Sequence, residues 1–173
     1  MAIKGLSYVK TSWMFEERPV SSSKLNQWDD RIESALETAF FLLNQAWGGG
    51  SGVLRNVGLG ELAVKATAPE SLAVSVASGY AFIDAYPFHL KETTISVAVL
   101  PPFVNGRIDL VQADLATWSV TVKAGEESAT PVAPPADSGA LALGELVLRP
   151  GMTSIKDSDD GVNGYVLDVR KFL

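Results

Sequence analysis

No cysteine occurs among the 173 residues. Disulfides, thiolate zinc sites and cysteine nucleophiles are therefore excluded, and the composition suits synthesis in a reducing cytoplasm. Histidine is almost as scarce. His89 is the single one, so the chain has no material for a His-based triad or a multi-histidine metal site. Within Tyr86-Pro87-Phe88-His89-Leu90 it reads as a surface or hydrogen-bonded strand residue. Basic residues are few and scattered: 14 Lys and Arg stand against 20 Asp and Glu, a formal charge of −6. A phosphate backbone needs clustered Lys and Arg, so no nucleic-acid partner is expected. No apolar run approaches the ~20 residues of a spanning helix, and no membrane partner is expected. Met1-Ala2-Ile3-Lys4-Gly5 leads into no continuous apolar stretch and reads as lacking a secretion signal. No glycine-rich segment ends in the Gly-Lys-Ser/Thr of a phosphate loop. Gly58-Leu59-Gly60 lacks a third glycine at the right offset. No cofactor or metal is expected.

Apolar residues are plentiful, at 47%, which argues against disorder. The run Gly48-Gly49-Gly50-Ser51-Gly52 separates two parts with different periods. Residues 1–20 form an extended arm without a clean period, carrying Tyr8, Trp13, Met14 and Phe15. An apolar cluster of this kind calls for a surface to lie on, so Trp13, Met14 and Phe15 are expected to anchor a partner protein. Residues 21–47 form the second segment. Ser21-Ser22-Ser23 offers an N-cap oxygen, and no Gly or Pro interrupts Lys24 to Trp47. Leu25, Trp28, Ile32, Ala35, Ala39, Leu42 and Ala46 step by three and four, an a/d seam over three heptads. Leu36, Phe40, Leu43 and Trp47 make a second stripe beside it. One stripe suits a helix packed on its own domain. Two suit a helix that also self-associates, which makes the seam the expected oligomer interface. Asp29, Asp30, Glu33 and Glu37 lie in the first half, the end where the helix dipole favours negative charge.

Residues 48–60 read as a glycine-rich linker and 61–173 as a β domain. Leu62, Val64 and Ala66 alternate, as do Leu72, Val74 and Val76. Ser78-Gly79 marks a turn before Tyr80 to Ile83. Ile95, Val97 and Val99 alternate again, and Asn105-Gly106 is a strong turn signal before Arg107 to Val111. Trp118, Val120 and Val122 predict a further strand, Leu141 to Leu148 another, and Tyr165 to Val169 the last. Residues 129–139, rich in proline, read as a surface loop that a short Gly-Ser link could replace at little cost. The fold class expected is mainly β with one long N-terminal α-helix, the strands forming an antiparallel β-sandwich or small barrel.

Chemistry-bearing groups are sparse. Asp157, Asp159 and Asn163, with Asp168 beyond, have the spaced oxygens of a calcium loop. The glycine falls one place early for an EF-hand and no bidentate Glu follows, whereas Asp160-Gly161 and Asn163-Gly164 are ordinary hairpin dipeptides. Arg107 with Asp109, and Asp168 with Arg170, share strand faces and predict cross-strand ion pairs or a charged docking edge. No acid pair at a cleft is evident, which counts against a glycan hydrolase, and the chain does not read as an enzyme.

The order Ser22-Ser23-Lys24-Leu25-Asn26 before a helix, then Leu72-Ala-Val-Ser-Val-Ala-Ser-Gly-Tyr-Ala-Phe-Ile83, Asn105-Gly-Arg-Ile-Asp-Leu-Val111, a Pro-rich loop, Leu143-Gly-Glu-Leu-Val-Leu148 and Val166-Leu-Asp-Val-Arg170, spans about residues 20 to 170. It resembles small structural proteins of tailed bacteriophages: baseplate and tail-fibre or receptor-binding-protein adaptor domains. The resemblance implies a virion protein made in the host cytoplasm, a homotrimer held by its helix, with other virion tail proteins as partners. The alternative is a carbohydrate-binding module touching the host surface, for which Tyr86, Phe88 and Trp118 are the candidate aromatics.

Overall fold

The computed structural model describes residues 22–55, 60–96 and 104–173. The expected anchors Trp13, Met14 and Phe15 lie outside these residues, as do Val97 and Val99 of one expected strand. The chain divides after Gly49 into two units.

The first unit contains α1, Ser22–Ala46. Twenty-five residues without Gly or Pro carry it as one piece. It stops in a Schellman turn: the Gly49 amide donates to the Asn44 carbonyl at 2.9 Å and the Gly48 amide to that of Gln45 at 3.1 Å. Gly48 supplies the positive φ, 95°, that this closure needs. The first turn holds no acidic residue. Asp29 and its successors therefore begin beyond the reach of the dipole, which fades within one turn, and the expected benefit is small.

The second unit holds eleven strands among the described residues: β1 Gly52–Val53, β2 Val64–Ala66, β3 Ala73–Val76, β4 Gly79–Ile83, β5 Tyr86–Leu90, β6 Thr93–Ser96, β7 Arg107–Asp114, β8 Ser119–Lys123, β9 Ala140–Leu148, β10 Ile155–Lys156 and β11 Gly164–Asp168. They form three sheets, ordered β1-β4-β5, β2-β3-β6 and β10-β11-β9-β7-β8. All pairings are antiparallel except the short β10–β11 one. The sheets stay open rather than closing into a barrel, so of the two expected architectures the sandwich type is the one present. All three contribute to one core, among them Val53, Ala81, Ile83 and Phe88 from the first, Val74 and Val76 from the second, and Val111, Leu143, Leu146 and Leu148 from the third.

Several expectations change in detail. The linker is shorter than 48–60, because Gly52 and Val53 already pair with Phe82 and Ala81. Val104-Asn105 forms a bend immediately ahead of β7, where the turn signal lies, and β7 pairs with β8 and β9. A two-residue hairpin lies at Asp84-Ala85, both at positive φ in the manner of a type I′ turn. Ser51 steadies it, its hydroxyl accepting from the Asp84 amide at 2.9 Å. Trp118 is not in a strand; β8 starts one residue later and Trp118 closes the preceding loop at φ 49°. In β9 the alternation changes phase. Leu141 and Leu143 are buried, then Leu146 and Leu148. An irregularity in the β7–β9 register, at Val111/Gln112, lets both pairs face the core.

The Pro-rich segment is a loop, as expected, but it is pinned. Buried Gln112 donates to Asp137 Oδ2 at 2.6 Å and accepts from the Asp137 amide at 3.0 Å. Lys123 donates to Asp137 Oδ1 at 2.6 Å and to the Pro135 carbonyl at 2.9 Å. Excising residues 130–138 would remove Asp137 and strand the Gln112 amide, so the expectation of a cheap excision does not hold.

Candidate functional site

Among the described residues, many of the exposed large apolar side chains lie on the helix. Leu25 is 44% exposed, Trp28 42%, Ile32 38% and Leu42 54%. Ala35 and Ala39 are intermediate and Ala46 exposed. At ~100° per residue the seam and the stripe through Leu36, Phe40, Leu43 and Trp47 adjoin, giving one apolar face about 160° wide. Phe41, also exposed, projects outside both stripes. It escaped the periodic reading because no apolar residue repeats with it. Heptad positions follow from the seam: Leu25, Ile32, Ala39 and Ala46 at a; Trp28, Ala35 and Leu42 at d. Lys24 then falls at g and Asp29 at the following e, the spacing at which parallel helices in register set opposite charges against each other.

In the β unit the ionisable groups pair closely. Arg107 reaches Asp109 through Nε at 2.7 Å and a terminal nitrogen at 3.1 Å. This pair lies within one strand, not across two, and Asp168 with Arg170 repeats the arrangement at 2.6 and 2.8 Å. Neither forms the expected cross-strand bridge: Arg107 and Asp109 share one face of β7, and Arg170 lies just beyond the end of β11, near enough to Asp168 to meet it. Asp109 is fully buried and also accepts from the Gly125 amide at 3.0 Å. Sequence reasoning noticed Asp109 but not Gly125, sixteen positions on.

The acidic loop is bound to its own surroundings. Arg149 grips both Asp159 oxygens, at 2.7 and 2.8 Å. Asp160 accepts from the Val162 and Asn163 amides at 2.9 and 2.7 Å and from the Asn163 side chain at 2.8 Å. Asp157 accepts from the Ala66 amide at 2.7 Å. No cluster of three or more metal-ligating residues occurs among the described residues. The carboxylates here close a loop, and they border a hollow of about 600 Å³ in which Lys156 pairs with Glu70 at 2.8 Å.

These contacts set a pH response. The Arg149 hydrogen bonds hold Asp159 below the usual carboxylate value of 3.8, and Asn163 does the same for Asp160. Hydrogen bonds from Arg170 lower Asp168, and those from Lys123 and Gln112 lower Asp137. Groups depressed on folding stabilise above the unfolded value and lose that contribution as pH falls through the folded one. Calorimetry should therefore find the melting temperature nearly flat from about pH 5 to 8 and falling below about pH 4. Asp159→Asn should flatten the acid limb; an unchanged limb would mean the loop carboxylates do not set it.

The aromatics fall into two places. Tyr80 and His89 stack on the surface, centroids 4.4 Å apart and planes 12° from parallel. Trp118 stacks on buried Phe88, at 6.2 Å and 11°. Tyr86 shares the Phe88 face of β5 and is exposed. Comparison with protein-family models, with curated proteins and with solved structures finds no match.

Proposed function

We propose that the chain is a non-enzymatic structural component of a phage virion: a homotrimeric tail or baseplate adaptor joining the tail core to fibres or receptor-binding proteins. The observation that carries the assembly half of this reading is the exposed apolar face of α1. A helix of this length gains its stability from burying such a face, and a face wider than a two-helix seam suits more than two strands. Small Ala35 and Ala39 at its centre let helices approach, and the Lys24–Asp29 spacing favours a parallel, in-register arrangement. The virion half rests on the resemblance of the segment order. In this reading Trp13, Met14 and Phe15 anchor the arm to a neighbouring tail protein.

Sedimentation equilibrium of the full chain is expected to give three times the 18.4 kDa chain mass. A monomer at concentrations of about 10 μM would overturn the trimer. An antibody against the β unit should decorate the tail end of intact particles. Absence of the chain from purified particles would overturn the virion role.

A further inference from the structure

Trp118 occupies a backbone position that tryptophan seldom takes. It is the last residue of the loop between β7 and β8, at φ 49°, where Gly or Asn would fit with less strain. Strain kept at one residue points to a use for its side chain. The indole lies nearly parallel to the Phe88 ring, with centroids 6.2 Å apart, while 58% of the residue remains exposed. The ring thus has a buried aromatic neighbour and most of its surface open to solvent. Hydrogen-bonding groups gather in the same loop. Asp114 accepts from the Ala116 amide at 2.8 Å and from the Thr117 hydroxyl at 3.1 Å. The Thr117 and Ser119 hydroxyls lie 2.8 Å apart.

We propose that Trp118, with Asp114, Thr117 and Ser119 at the same β7–β8 turn, forms a binding platform for a pyranose ring. A pyranose offers one apolar face of C–H groups for the indole and a rim of hydroxyls that both donate and accept. The loop supplies the matching set: an open aromatic face, carboxylate acceptors and hydroxyls. An apolar protein partner would want several large apolar residues around the anchor, whereas the turn offers only Leu115, which packs partly against the core, beside Asp114, Ala116, Thr117 and Ser119. All of these residues belong to the second unit.

The test uses the full chain on an array of neutral and acidic pyranose oligosaccharides, followed by NMR titration with any sugar retained. The chain has four tryptophans, and the indole resonance missing from Trp118→Leu identifies that of Trp118. Leucine keeps an apolar cover over Phe88 but removes the aromatic face. The expected result is a saturable shift of the Trp118 indole signal, with affinity weakened about tenfold or more in Trp118→Leu at an unchanged melting temperature. Trp118→Gly, which suits the backbone, should also lose the sugar while remaining folded. Three outcomes would overturn the platform: no retained sugar at millimolar concentrations, equal binding by Trp118→Leu, or loss of a protein contact in Trp118→Leu with no glycan bound by the parent.

Discussion

Asp109→Ala is expected to be the most damaging single change in the β unit. The carboxylate is fully buried and accepts three hydrogen bonds, two from Arg107 and one from the Gly125 amide. Removing it leaves a half-buried guanidinium without its counter-charge and a close-packed amide without an acceptor. Breaking a buried pair on one side costs about 3–5 kcal/mol, a large share of a domain stability of about 5–15 kcal/mol. For a unit of this size the melting temperature should fall by roughly 10–20 °C. Gly125 is closely packed: a Cβ added there would lie 2.1 Å from the Ile108 carbonyl oxygen. Differential scanning calorimetry decides the matter. A drop under about 3 °C would mean that Arg107 swings into solvent and that the pair contributes little.

Ala39→Asp should act on the other unit and in another way. Ala39 is an a position at the centre of the proposed seam. In a parallel trimer the substitution gathers like charges in a buried contact, raising the dissociation constant by about a hundredfold or more. The mass in solution should fall to that of one chain, while the β unit melts as before. Ser34→Asp places the same charge on the opposite side of α1 and should leave the mass unchanged. Were both variants to remain trimeric, the seam would not be the interface; were both to dissociate, helix propensity rather than seam geometry would be responsible.

What could be read from the sequence follows from how local each signal is. The helix and its seam depend on a period within the chain, and α1 begins and ends within a residue or so of expectation. Val74 and Val76 alternate because β3 buries one face. His89 was legible as a strand residue, and it lies in β5 although Pro87 interrupts the local pattern. Pro87 is tolerated since β5 lies at the edge of its sheet. The Asp84-Ala85 turn carries neither the glycine nor the asparagine that marks its type, and Ser51, far away in sequence, secures it. Trp118 continued an apparent alternation with Val120 and Val122, and only the backbone reveals that it has left the strand. Asp109 with Gly125, and Gln112 with Asp137, meet through strand pairing that no local pattern encodes.

Pro87 has a wider consequence. Strand β5 borders its sheet, and a bordering strand offers its outer backbone groups to any extended chain that drifts alongside. Proline has no amide hydrogen to offer, so the row of donors is broken at the second residue of a five-residue strand. A second molecule trying to continue the sheet would find its ladder interrupted after one or two rungs. That edge of the β1-β4-β5 sheet is therefore a poor template for a second extended chain.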